Sequence, residues 1–275
     1  MKARIKFQKY GAMKFVGHLD VMRYFQKLFR RANIDNEYSK GFSPHQIMSF
    51  AAPLGVGLTS DGEYLDIQLL SADSPEVMVE RLNAVITEGF HIISYRPLKD
   101  TEQNVKNVTA MALVSSADYL VSLKDGYELG AGITNQEGFQ EAFMAFLNSS
   151  EIVIGKKTKK SEKEVDIKPM ITLVAFTPED YEEKRIHTLE DQLRMMENTD
   201  HKPESVADCY QNGIKVYLQL DTGSASNLKP ELVMEAFSEY LGVEYNKYAW
   251  QSHRMEVYTR STETGKLSAL DQVDR

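Results

Sequence analysis

Two hydrophobic periods alternate along the first hundred residues, and their order restricts the chain to few topologies. Arg4–Lys9 has a period of two, with Ile5 and Phe7 set against Arg4, Lys6 and Gln8, the pattern of a half-buried strand. After Gly17 and His18 the period lengthens. Val21, Met22, Phe25, Leu28, Phe29 and Ala32 recur at helical spacing, with Asp20 in the first turn and Arg30 and Arg31 in the last, as the helix dipole favours. A polar loop, Asp35–Gln46, leads to a strand at Ile47–Ala51. A Gly-rich turn, Pro53–Gly62, leads to an alternating strand around Tyr64–Leu69. Ser74-Pro75-Glu76 opens a second helix that runs to about Glu88 and ends at Gly89. His91–Leu98 closes the set. The order β-α-β-β-α-β is the split pattern of the ferredoxin-like fold.

The rest of the chain repeats this order with additions. Strands are expected at Tyr119–Leu123, Glu151–Gly155, Val165–Leu173, Gly213–Leu220 and His253–Tyr258, and helices at Gln136–Leu147 and Pro230–Leu241. The expected fold is α+β, two tandem ferredoxin-like domains with antiparallel sheets. Residues 1–98 form the first and 117–259 the second, joined by 99–116. An acidic insertion at about 177–212 interrupts the second, and 260–275 is expected to be a flexible tail, since it has no apolar period.

Charge is divided unevenly. The 275 residues have a net charge of −8, yet residues 1–50 contain ten Lys/Arg and three Asp/Glu, a net +7, which leaves −15 for the remainder. Such asymmetry points either to a polyanionic partner for the basic part or to the two parts facing each other in the fold, and the sign alone does not choose. The lone Cys209 rules out an internal disulfide and a multi-cysteine metal or iron–sulfur site. No apolar run reaches about 18 residues, so no membrane span is expected. The N-terminus lacks the apolar stretch of a secretory signal, which gives a cytoplasmic expectation.

Several constellations in the first 66 residues carry chemistry. Arg23, Lys27, Arg30 and Arg31 fall on one side of the first helix, and a stripe of one sign can track phosphates. The loop Tyr38-Ser39-Lys40-Gly41-Phe42-Ser43-Pro44-His45 offers hydroxyls, an ammonium, an imidazole and an aromatic ring that can stack a base. It serves equally well as a plain crossover loop. His18 and His45 are the candidate catalytic pair for acid–base RNA cleavage, against the simpler reading of His18 and Asp20 as parts of a helix start. Glu63 and Asp66 are carboxylates whose offset of three puts them on opposite strand faces, which disfavours a shared metal, and no metal is assigned. Lysines 156, 157, 159, 160 and 163 gather at an expected hairpin tip.

The stretches RIKFQKYGAMKFVGHLDVMRYFQKLFRRANI and YSKGFSPHQIMSFAAPLGVGLTSDGEYLDIQL, with the later KKTKKSEKEVDIKPMI and SNLKPELVMEAF, resemble a bacterial radical-SAM-associated domain family of unknown function over residues 2–258. His18, Asp20, Arg23, Arg31, Ser39, Gly41, Phe42, Ser43, Pro44, His45, Glu63 and Asp66 match its motif positions. The resemblance implies a radical-SAM protein as partner, and ribonuclease G or ribosome-linked factors as neighbours. The chain has no CxxxCxxC, so it is not itself a radical-SAM enzyme and no cofactor is expected in it. The leading expectation is an accessory protein that binds tRNA or rRNA through Arg23, Lys27, Arg30, Arg31, Ser39, Lys40, Gly41, Phe42, Ser43 and His45. The alternatives are a metal-independent RNA-processing enzyme using His18 and His45, or a protein-only scaffold.

Overall fold

A computed structural model describes residues 1–99, 108–157, 162–185, 204–223 and 226–273. These form a mixed α/β protein with six α-helices and mostly antiparallel sheet among the described residues. The chain divides into two compact units. The first comprises Met1–Ser116, Pro203–Ala207 and Arg254–Arg275, and the second Ala117–Lys202 and Asp208–His253. The expected consecutive domains are therefore interleaved in sequence, because the final strand enters the first unit at Arg254.

The first unit contains β1 (Lys2–Lys9), α1 (His18–Arg31), β2 (Met48–Phe50), β3 (Thr59–Gln68), α2 (Pro75–Asn83), β4 (Phe90–Leu98) and the short α3 (Ala110–Leu113). Antiparallel β1 lies between β4 and β3, and β2 pairs with β3, giving the order β4-β1-β3-β2. The period of two in β1 turns Ile5 and Phe7 onto α1, whose buried stripe is Val21, Phe25, Leu28 and Phe29. The Phe7 and Phe25 ring centroids lie 4.6 Å apart. The N-terminus of α2 is capped by Ser74, with Pro75 in its first turn. It stops at Asn83, earlier than expected, because the Asn83 amide turns to the strand: Nδ2 donates to Ile92 O and Oδ1 accepts from Ile92 N, both at 2.9 Å.

The second unit contains β5 (Ser116–Leu123), α4 (Gln136–Leu147), β6 (Val153–Lys157), β7 (Glu162–Asp166), β8 (Ile171–Ala175), α5 (Pro178–Arg185), β9 (Lys215–Asp221), α6 (Pro230–Tyr240) and the first residues of β10 (Trp250–Arg260). Its strand order is β10-β5-β9-β8. Its core is aromatic: Phe143 lies 4.9 Å from Phe237, and Phe139 lies 5.6 Å from Phe237 and 5.9 Å from Trp250. Two expectations change here. The strand expected over Val165–Leu173 is broken at Lys168–Met170 by a 3-10 turn, because Pro169 supplies no ladder N–H. As a result β6 and β7 form a separate hairpin, and β8 alone joins the sheet. The insertion yields α5, and Asp180 N donates to Thr177 Oγ1 at its start. The acidic insertion between Arg185 and Glu204, the connection at 100–107 and the lysine-rich tip at 158–161 lie outside the described residues.

β1 is not half-buried. Arg4 and Gln8, on the face expected to meet water, are as buried as Ile5. The reason lies at the far end of the chain. Leu267–Ala269 form β11, paired antiparallel with β10, and Leu270–Gln272 make a 3-10 turn. The tail expected to be flexible is therefore folded in the first unit up to Val273. It supplies a partner for a buried cation: Arg4 donates to Leu270 O at 2.7 Å, and also to both oxygens of Asp66 on β3 at 2.7 and 3.1 Å. The Lys6 ammonium lies 2.6 Å from Glu256 and 3.3 Å from Asp271. Tyr64 donates to the other Glu256 oxygen at 2.6 Å. Burial raises the Glu256 carboxyl above its usual range, against the opposing pull of Lys6. Gln8 donates to Asp61 and to Glu204 O, and Ser205 and Val206 also donate to Asp61, so residues 204–206 of the insertion serve the first unit. Gly62 is needed where β3 approaches β10: a Cβ there would sit 3.0 Å from Met255 O. Leu270 is fully buried, so Leu270→Ala is expected to cost about 2–5 kcal/mol in urea unfolding. An unchanged midpoint would show that the tail is not packed.

No helix among the described residues is long and apolar enough to cross a membrane.

Candidate nucleic-acid interface

The amphipathic pattern of α1 buries four apolar residues and leaves Arg23, Lys27, Arg30 and Arg31 exposed. They are not equivalent. Arg23 pairs with Asp20 at 3.0 Å, with both side chains about two-thirds exposed, so the pair contributes little and opens readily. Arg31 is held more firmly, its guanidinium 5.4 Å from the centroid of the Tyr24 ring and 3.4 Å from Val85 O. Arg30 Nε donates to Gln26 O at 3.2 Å. Lys27 forms no ion pair or side-chain hydrogen bond among the described residues.

The Ser39–His45 loop is a closed excursion. Tyr38 and Gln46 form a β-bridge at its base. Inside that bridge, Ser39 N donates to His45 O at 2.8 Å and His45 N donates to Ser39 Oγ at 3.1 Å. Ser39 Oγ and His45 Nδ1 lie 2.8 Å apart. Two residues thus clip the ends while Lys40, Gly41, Phe42, Ser43 and Pro44 stand in solvent. Gly41 has φ +121°, a conformation that side chains resist, so the tip requires glycine there. Phe42 is 112% exposed, more open than in an extended peptide. A fully wet phenyl ring contributes nothing to a core and presents a free flat face on which a base can stack.

The loop is rooted against the cationic helix. Gln46, buried, donates through Nε2 to Gln26 O at 3.3 Å, the same carbonyl that accepts from Arg30. The Gln26 carbonyl therefore joins the base of the loop to the middle of the stripe. Neither Gln26 nor Gln46 stands out in the sequence, since a neutral amide has no signature there, although Gln26 sits between Arg23 and Arg30.

The remaining motif residues lie elsewhere. His18 is half-buried at the start of α1, its ring 5.2 Å edge-on from Phe50, and it lines a small pocket with Lys9 and Glu63. His45 belongs to the Ser39 clip, so the two histidines have separate contact sets. Glu63 and Asp66 do lie on opposite faces of β3, each held by a guanidinium: Glu63 by Arg254 and Asp66 by Arg4. Both are structural ion-pair carboxylates, and Asp66 also accepts from Ala110 N at 2.8 Å. Lys9 and Arg254, both buried and charged, escape the sequence reading. Lys9 was legible: with Ile5 and Phe7 it falls on the inward parity of β1. Arg254 had no such signal, because the face it occupies exists only after distant segments assemble.

No curated protein matches the chain. A family model described as an uncharacterized protein conserved in bacteria (DUF2344) matches residues 2–230. That span is most of the chain and includes both the cationic helix and the clipped loop, and the protein therefore belongs to this bacterial family.

Proposed function

We propose that the protein is an RNA-binding accessory factor that acts in the cytoplasm beside a radical-SAM enzyme, in tRNA or rRNA modification or processing. The observation that carries the RNA reading is Phe42, fully exposed on a clipped loop whose root shares the Gln26 carbonyl with the cationic stripe of α1. Stacking on Phe42 would hold a base, while Arg23, Lys27, Arg30 and Lys40 neutralise the phosphates on either side. The assignment to modification, and the radical-SAM partner with ribonuclease G or ribosome-linked neighbours, rest on the resemblance carried by the GHLD and YSKGFSPH segments. A radical-SAM cluster would belong to the partner. The strand orders β4-β1-β3-β2 and β10-β5-β9-β8 support a ferredoxin-like reading of each unit.

Fluorescence anisotropy with tRNA and rRNA fragments across a salt series tests the RNA reading. The log of the binding constant is expected to fall linearly with log salt. Arg23→Ala with Arg30→Ala is expected to reduce that slope by about 1.4, at roughly 0.7 for each single-strand phosphate no longer neutralised. Absence of binding at low salt, or an unchanged slope in the double variant, overturns the reading.

A further inference from the structure

Lys9 closes β1 on the same face as Ile5 and Phe7, and it is only 2% exposed. Its Nζ donates to Val16 O at 3.0 Å, and it forms no ion pair among the described residues. An ammonium has three donors, so two are unused by these partners. The carboxylate that acts on it is Glu63, but both Glu63 oxygens are taken by Arg254, at 2.8 and 2.5 Å. Glu63 thus gives both oxygens to Arg254, and the Lys9 ammonium keeps two donors for a further acceptor. Buried charges are ordinarily paired. Burial pushes the Lys9 amine below its usual 10.5, with Glu63 opposing that shift and Arg254 reinforcing it.

A pocket lies against these groups. Lys9, His18 and Glu63 line it together with Phe7, Phe50 and Pro53, and its enclosed part has room for about one water-sized atom. The N-terminus of α1 adjoins it through His18; Gly17 there gives no side-chain cap, and its carbonyl accepts from Asp20 N and Val21 N. Beside His18 the surface is apolar. Val56 is 62% exposed, and its Cγ2 lies 3.9 Å from where a Gly17 Cβ would be. Leu19 is also exposed.

We propose that this pocket binds a carboxylate on an apolar body: one carboxylate oxygen meets Lys9 and His18, and the body rests on Pro53 and Val56. Two features select a carboxylate over a phosphate: a single ammonium, Lys9, lines the pocket, and the rim is apolar. The site lies at the start of α1, and Arg23, the first cation of the proposed RNA surface, follows His18 by five residues, about 7.5 Å along the helix.

The full chain is titrated with sodium benzoate and, separately, with inorganic phosphate. Binding is followed by calorimetry and by the NMR resonances of the His18 ring. Benzoate is expected to saturate in the low millimolar range, as suits so small a ligand, and to move the His18 resonances. Lys9→Gln is expected to weaken it about 10-fold through loss of a charge-assisted hydrogen bond. Val56→Asp, at an exposed position, is expected to weaken it about 5-fold by placing a like charge at the rim, with unchanged melting. If Lys9→Gln fails to fold, Val56→Asp decides. Failure of benzoate to saturate, saturation by phosphate alone, or benzoate binding that neither variant disturbs overturns the proposal.

Discussion

Replacing Glu63 by alanine is expected to destabilise the first unit by about 3–5 kcal/mol. The side chains of Glu63 and Arg254 are each only 5% exposed, and two hydrogen bonds join them. Removing the carboxylate takes away an anion that acts on two buried cations, Arg254 and Lys9, together with two hydrogen bonds. The penalty comes from the lost charge compensation more than from the two missing hydrogen bonds. A charge-free pair separates these causes. Glu63→Leu with Arg254→Met removes both charges at similar volume and is expected to recover most of the stability, giving a large coupling in a double-mutant cycle. Guanidinium unfolding of the four proteins measures this. A Glu63→Ala midpoint within error of the parent would show that the pair is open to water.

Phe42→Ala is expected to act in the opposite manner, on binding and not on stability. Base stacking on an exposed aromatic contributes roughly 1–3 kcal/mol, so affinity for single-stranded RNA should fall by roughly 5- to 150-fold. Because the ring touches solvent on all sides, the unfolding free energy should stay within about 0.5 kcal/mol of the parent. Phe42→Trp should retain binding, since any flat π-face serves. Equal affinity of Phe42→Ala and parent for RNA would remove the stacking platform from the proposed function. A salt slope that survives in Phe42→Ala but shrinks in the Arg23 and Arg30 variant would separate stacking from phosphate neutralisation.

Local pattern reveals α1 almost to the residue, because an apolar stripe at helical spacing and dipole-matched charges both depend on near neighbours alone. It reveals the cationic stripe for the same reason. The pairing of β1 with β3 and β4 follows from element order, and so does the clustering of aromatic residues on the inward face. The break within Val165–Leu173 is also local in origin, since Pro169 interrupts an apolar run whose period masks it. The tail differs in kind. Nothing within residues 260–275 has a period, and Leu270 is buried among segments far away in sequence, its carbonyl accepting from Arg4, 266 residues earlier.

The same division holds for the sites. The sequence alone specifies which side chains α1 and the clipped loop carry, and that one helix face has a single sign of charge. It took the folded chain to bring loop and stripe together through Gln26 and Gln46, to set His18 and His45 in separate surroundings, and to commit both Glu63 oxygens to Arg254 with Lys9 close by. The physical reason is reach. Periodicity and capping record interactions across one or two turns, whereas the partner of a buried charge is set by whichever chain segment closes over it. For Glu63 that segment is 191 residues away.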